Sequence, residues 1–126
     1  MDDISIPEAM EKTVRLTYLL AFYGNLLTDN QREMARLHWE EDLSLAEIAQ
    51  QFSISRQSVH DTISRTEKQM ESFEDKLGLL FRFQRLEKGL KACEEELRQI
   101  KTTENTEEHL SSAQRIILEL LDQEEQ

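Results

Sequence analysis

"SLAEIAQQFSISRQSVHDTI", residues 44–63, holds two helix starts separated by a tight turn. Ser44 followed three residues later by Glu47 is a capping box: hydroxyl and carboxylate satisfy backbone N–H groups that a helix start leaves orphaned. Leu45, Ile48, Ala49 and Phe52 then recur at helical spacing. "SIS" makes the turn, and Ser55 caps a second helix that carries Val59, Ile63, Thr66 and Met70 on one side. A helix-turn-helix needs a small residue where its helices cross and apolar pins on both of them. Ala49 is the small residue, and Ile48, Phe52, Ile54, Val59 and Ile63 are the expected pins. Ser53 stands where the turn often takes glycine.

Upstream, Pro7 suits a first helical turn, and Met10, Val14, Tyr18 and Phe22 follow at four-residue spacing, with Leu19 and Leu20 widening the stripe. Gly24 and Asn25 stop that helix. Thr28 and Gln31 form a second capping box, and Met34, Leu37 and Trp39 face a core before the break at "EEDLS". Downstream, Leu79, Phe83, Leu86, Leu90, Cys93, Leu97 and Ile100 alternate steps of four and three, an a/d seam. "KTTENT" interrupts it; Leu110, Ala113, Ile117 and Leu120 or Leu121 resume a similar stripe, which predicts an antiparallel hairpin. Gly89, inside the first hairpin helix, weakens it relative to alanine. The expected fold is all-α: an N-terminal helix over residues 1–27, a helix-turn-helix domain over 28–73 and a helical hairpin over 74–126 with a frayed end.

Composition agrees, since one proline and three glycines among 126 residues are too few for a turn-dense β fold. The acidic start has no signal-peptide pattern, and "LTYLLAFYGNLL" is too short and interrupted to span a bilayer. The lone Cys93 points to a reducing compartment, so the expectation is a cytoplasmic protein without membrane insertion. The formal net charge is −11, divided as −2, −4 and −5 over residues 1–27, 28–72 and 73–126. No segment is basic, whereas nucleic-acid modules ordinarily carry a basic patch.

The stretch from Leu27 to Lys68 resembles region 4 of bacterial sigma factors, through "LT.NQRE" and "SLAEIAQ.F.ISR.SV...I". A longer likeness, from Glu11 to Leu90, is to the YlxM-like family of small bacterial helix-turn-helix proteins encoded beside the signal recognition particle GTPase. The sigma resemblance implies promoter binding through the helix that starts at Arg56. The YlxM-like resemblance implies a regulatory role in the signal recognition particle pathway, with its components as possible partners.

With Val59 inward, 100° per residue turns Gln57, Asp61, Ser64 and Lys68 outward, with Ser58 and His60 flanking and Arg65 to one side. Together with Arg56 these are the expected DNA-contacting residues. Gln57 suits adenine, Asp61 cytosine N4, and Arg56 a phosphate or guanine. Sigma-type helices favour cations near the positions of His60 and Thr62, so any DNA binding expected here is weak and salt-sensitive. Leu79, Phe83, Leu86, Leu90 and Leu97 are the expected interface of a homodimer or partner contact. Arg82, Arg85, Lys88 and Lys91 form a basic stripe on the same helix. His38, His60 and His109 lack metal-ligand spacing to one another or to Cys93, no Gly-rich loop follows a strand, and no catalytic constellation is visible. The reading is therefore non-enzymatic, with no cofactor. Its alternative is an interaction protein that binds no DNA and contacts a protein or ribonucleoprotein through the hairpin.

Overall fold

The structure is a computed structural model that describes residues 11–100 and 106–124. Among these it contains six α-helices: α1 (Lys12–Tyr23), α2 (Asp29–Trp39), α3 (Leu45–Phe52), α4 (Arg56–Leu77), α5 (Leu79–Gln99) and α6 (Thr106–Glu124). The described residues through Phe81 make one compact unit and those from Arg82 onward another. The all-α expectation holds. Pro7, Met10 and most of "KTTENT" lie outside the described residues.

The starts of α2, α3 and α4 have the local chemistry that their sequence specifies. Thr28 Oγ1 accepts from the Gln31 N–H at 3.2 Å, while the Thr28 N–H donates to Gln31 Oε1 at 3.1 Å. Ser44 and Glu47 repeat this reciprocal pair at 3.1 and 3.0 Å. The Ser44 N–H that donates to Glu47 Oε1 holds the Glu47 carboxyl below its ordinary range, with the nearby Ser44 hydroxyl adding to the effect. Ser55 Oγ accepts from the Ser58 N–H at 3.0 Å. Ser53 ends α3 in the left-handed region at φ 55°, and the Ile54 N–H reaches back to the Ala49 carbonyl at 3.1 Å, a Schellman closure. Serine thus occupies a conformation that favours glycine.

α4 is the axis of this unit and packs against α1, α2 and α3. Its inward side carries Val59, Ile63, Thr66, Met70 and Glu74, at steps of four, three, four and four. The core of the unit is completed by buried Leu16, Leu19, Leu20 and Tyr23 of α1; Met34, Ala35, Leu37 and Trp39 of α2; and Ile48 and Ala49 of α3. Thr66 is fully buried without cost, since its hydroxyl donates to the Thr62 carbonyl at 2.7 Å.

Two expectations are corrected. The inward stripe of α1 is Leu16, Leu19, Leu20 and Tyr23, not Val14, Tyr18 and Phe22; Val14 is 38% exposed and the other two are half-buried. α1 is apolar around most of its circumference, so periodicity allowed two stripes and only packing against its neighbours selected one. Ile54 is 40% exposed and pins no core. The left-handed residue before it turns the chain outward, and Ile54 borders a surface cleft instead.

In the second unit the contacts define an antiparallel α5–α6 pair. Cys93 Sγ lies 3.5 Å from the Ala113 carbonyl, and His109 Nδ1 lies 2.6 Å from Glu96 Oε2. A Cβ added at Gly89 would fall 2.5 Å from Leu120 Cδ1, so glycine here lets a leucine lie against the α5 backbone. The inward face of α5 therefore runs through Gly89, Cys93 and Glu96. The heptad seam read from the sequence is split: Cys93 turns to α6, whereas Leu90 and Leu97 are 60% and 49% exposed. Two helices meeting at glycine, cysteine and alanine approach along small residues, which leaves the leucines beside that line uncovered.

Candidate nucleic-acid interface

The expected DNA-contacting residues all lie in the first half of α4. Arg56, Gln57, Ser58, His60, Asp61, Arg65 and Lys68 are exposed and Ser64 is half-buried. Val59 and Ile63 hold this half of the helix against α2 and α3, so the outward side is presented on a packed scaffold. Ser58 is committed to the cap, its hydroxyl 3.1 Å from that of Ser55. The Gln57 amide donates to Asp61 Oδ1 at 3.0 Å, and His60 Nδ1 stands 3.6 Å from the same oxygen. Asp61 is thus held within the helix by its neighbours.

The charges of the unit are segregated in a way that a residue count hides. On α1, Lys12 pairs with Glu67 at 2.9 Å and Arg15 forms a two-pronged pair with Glu71 at 2.8 and 3.0 Å. The Arg15 guanidinium is held above its ordinary range chiefly by that bond. On α2, Arg32 pairs with Asp29, and Arg36 with Glu33 and Glu41, which holds the Glu33 carboxyl low. Arg56, Arg65 and Lys68 of α4 have no carboxylate within ion-pair distance among the described residues. Glu67 and Glu71 of α4 are thus neutralised against α1, while Arg56, Arg65 and Lys68 stay exposed, with Asp61 the carboxylate on the outward side of this half of the helix.

A cleft of about 570 Å³ runs beside this surface, bordered by Asn30, Gln31 and Met34 of α2, by Ile54, and by Thr62 and Arg65 of α4. Gln31 Nε2 donates to Gln69 Oε1 at 3.1 Å and ties the start of α2 to α4. Sequence patterning missed this feature because its walls come from separate helices. Ile54, apolar but placed after a left-handed residue, was the one local sign.

Among the described residues no group of three or more His, Cys, Asp or Glu side chains could hold a metal ion. His38 Nδ1 sits 2.9 Å from the Leu43 carbonyl, and Cys93 is buried in the hairpin. No described helix is long and apolar enough to cross a membrane. Of the expected partner-contact residues, Leu79 donates its N–H to the Tyr23 hydroxyl at 3.1 Å and Leu86 is half-buried, while Phe83, Leu90 and Leu97 are exposed.

Comparison with known proteins agrees with this architecture. Residues 10–111 match the model of a family described as "Putative helix-turn-helix protein, YlxM / p13 like". A UPF0122 protein of Bacillus thuringiensis (strain Al Hakam) is 40% identical over 113 residues, covering 90% of this chain and 96% of its own. A UPF0122 protein of Bacillus mycoides (strain KBAB4) has the same identity and coverage. One from Halalkalibacterium halodurans is 42% identical over 95 residues, covering 75% of this chain and 87% of its own. With capped helices, a left-handed turn and an α4 core face all in place, the chain belongs to the UPF0122 family of YlxM / p13-like helix-turn-helix proteins.

Proposed function

We propose that this protein is a non-enzymatic, DNA-binding regulator that presents the first half of α4 to the major groove. The observation that carries this reading is the charge segregation on α4. Arg56, Arg65 and Lys68 are open to solvent and pair with no described carboxylate, while Glu67 and Glu71 are consumed by Lys12 and Arg15. Arg56, Arg65 and Lys68 hold phosphates, and Gln57 and Asp61 face base edges. The mutual bond of Gln57 and Asp61 must open for either to read a base, which favours modest affinity. The YlxM-like resemblance supports the signal recognition particle pathway as the process it regulates, and on this reading the protein acts in the cytoplasm.

Gel-shift titration against genomic fragments at two salt concentrations tests this. Three phosphate-neutralising cations predict that log K falls with log salt at a slope of about −2.7. Arg56→Ala should weaken binding to all sequences and flatten that slope, whereas Gln57→Ala should blunt discrimination between fragments. Absence of any shift at low salt would sink the reading. A second reading, an interaction protein that binds no DNA, draws support from the exposed leucines of the hairpin.

A further inference from the structure

The α5–α6 hairpin has one apolar face and one polar face. With Gly89, Cys93 and Glu96 toward α6, 100° per residue sets Leu86, Leu90 and Leu97 about a quarter turn to one side. On α6, where His109, Ala113 and Leu120 face α5, Leu110, Ile117 and Leu121 lie a quarter turn to the corresponding side. Because the helices are antiparallel, these two flanks fall on the same face. Partners across the pair sum to nearly constant residue number, so Leu97 stands level with Leu110, Leu90 with Ile117, and Leu86 with Leu121. Leu90, Leu97, Leu110, Ile117 and Leu121 are 60, 49, 48, 46 and 56% exposed. The opposite face carries Lys88, Ala92, Glu95 and Gln99 on α5 and Ser112 and Glu119 on α6.

We infer that a second copy of this chain covers the apolar face, hairpin against hairpin, as a four-helix bundle. Three features select this occupant. The face is two helices wide, whereas a single docking helix fills one groove between them. Its rows lie on both sides of Leu90 and Ile117, so a two-fold axis near that row lays apolar on apolar and satisfies the self-complementarity of an isologous contact. The exposed apolar area, with Leu118 at the margin, is on the order of 500 Å² per copy, which with a polar rim approaches the roughly 800 Å² per partner of a stable dimer. A net charge of −11 argues against an anionic lipid surface as the alternative cover.

This inference is independent of DNA binding, and its salt dependence has the opposite sign. Two copies of like charge repel, so added salt strengthens their association while it weakens binding to DNA. Sedimentation equilibrium of the pure full chain should give twice the chain mass by about 200 µM, with the dimer fraction rising with salt. Leu90→Lys combined with Ile117→Lys should weaken association at least about tenfold while helicity by circular dichroism is retained. Ala92→Glu on the opposite face should leave it unchanged. A monomer at the highest concentration overturns the proposal whatever the variants do. A dimer equally weakened by Ala92→Glu, or untouched by the double lysine variant, overturns the assignment of the face. Arg56→Ala should weaken gel shifts without altering sedimentation, which separates failure of this inference from failure of the DNA reading.

Discussion

Tyr23 and Glu74 control where the helix-turn-helix unit ends. Glu74 is 8% exposed, yet its carboxylate accepts from the Tyr23 hydroxyl at 2.6 Å and from the Leu80 and Phe81 N–H groups at 3.0 and 3.1 Å. Tyr23 Oη in turn accepts from the Leu79 N–H. Three orphan N–H groups at the start of α5 are thereby satisfied by side chains of α4 and α1 across Gly78, itself at φ 63°. Glu74→Ala leaves these donors and the tyrosine hydroxyl unmatched in a buried site and should cost roughly 3–5 kcal/mol in urea unfolding. Burial, and then the bond it donates to Glu74, push the Tyr23 phenol from its ordinary 10.0 up to about 12. The folded state therefore holds this proton more tightly than the unfolded state. The stabilisation is complete below about pH 10 and is lost as pH rises toward 12, amounting to roughly 2–3 kcal/mol. The stability curves of the wild type and Tyr23→Phe should converge over that interval; a constant separation between them would contradict this account. None of this was legible in the sequence, because Tyr23 and Glu74 stand 51 residues apart and the stripe expected on α1 ended at Phe22.

At the scale of the element, the starts of α2, α3 and α4 were readable because capping is a local matter of residues three apart. The end of α3 was readable too, and it carries a correctable strain. Ser53→Gly at φ 55° should stabilise the unit by about 0.5–1 kcal/mol, the left-handed penalty of serine less the extra unfolded-state freedom of glycine. A rise in the urea midpoint at constant m-value checks it. Gly89 teaches the reverse lesson. As a residue in a helix it should be improved by alanine, by about 1 kcal/mol. As the place where Leu120 lies on the backbone it cannot be, because the added carbon meets Leu120 Cδ1, Cδ2 and Cγ at 2.5, 2.6 and 2.8 Å. Gly89→Ala should lower stability by about 1 kcal/mol net despite its better propensity. A stabilised variant in thermal unfolding would refute the close approach of α5 and α6.

At the scale of the whole molecule the decisive quantity is where charge ends up. A net −11 spread over every segment argues against a nucleic-acid surface as long as charges are only counted. Folding sets Glu67 and Glu71 against Lys12 and Arg15 and leaves Arg56, Arg65 and Lys68 exposed without a described carboxylate partner, which a count of charges does not reveal. Asp61 is the residual counter-charge on the outward side of that helix. Asp61→Asn should tighten binding to non-specific duplex about three- to tenfold at low salt, an advantage that fades as salt rises. Equal affinity of the two proteins at low salt would show that Asp61 lies outside the contact.

The sequence by itself determined the all-α class, the caps that open α2, α3 and α4, the turn at Ser53 and the inward side of α4, because these depend on residues within a turn or two of one another. Only the tertiary structure decided which stripe of α1 is buried, that Ile54 borders a cleft, that Glu74 closes the α4–α5 junction, and which hairpin leucines remain exposed. It also decided which charges survive on the outside of α4. Each of these depends on partners dozens of residues away or on a choice between two equally periodic faces, and neither burial nor ion pairing across such distances is encoded in local pattern.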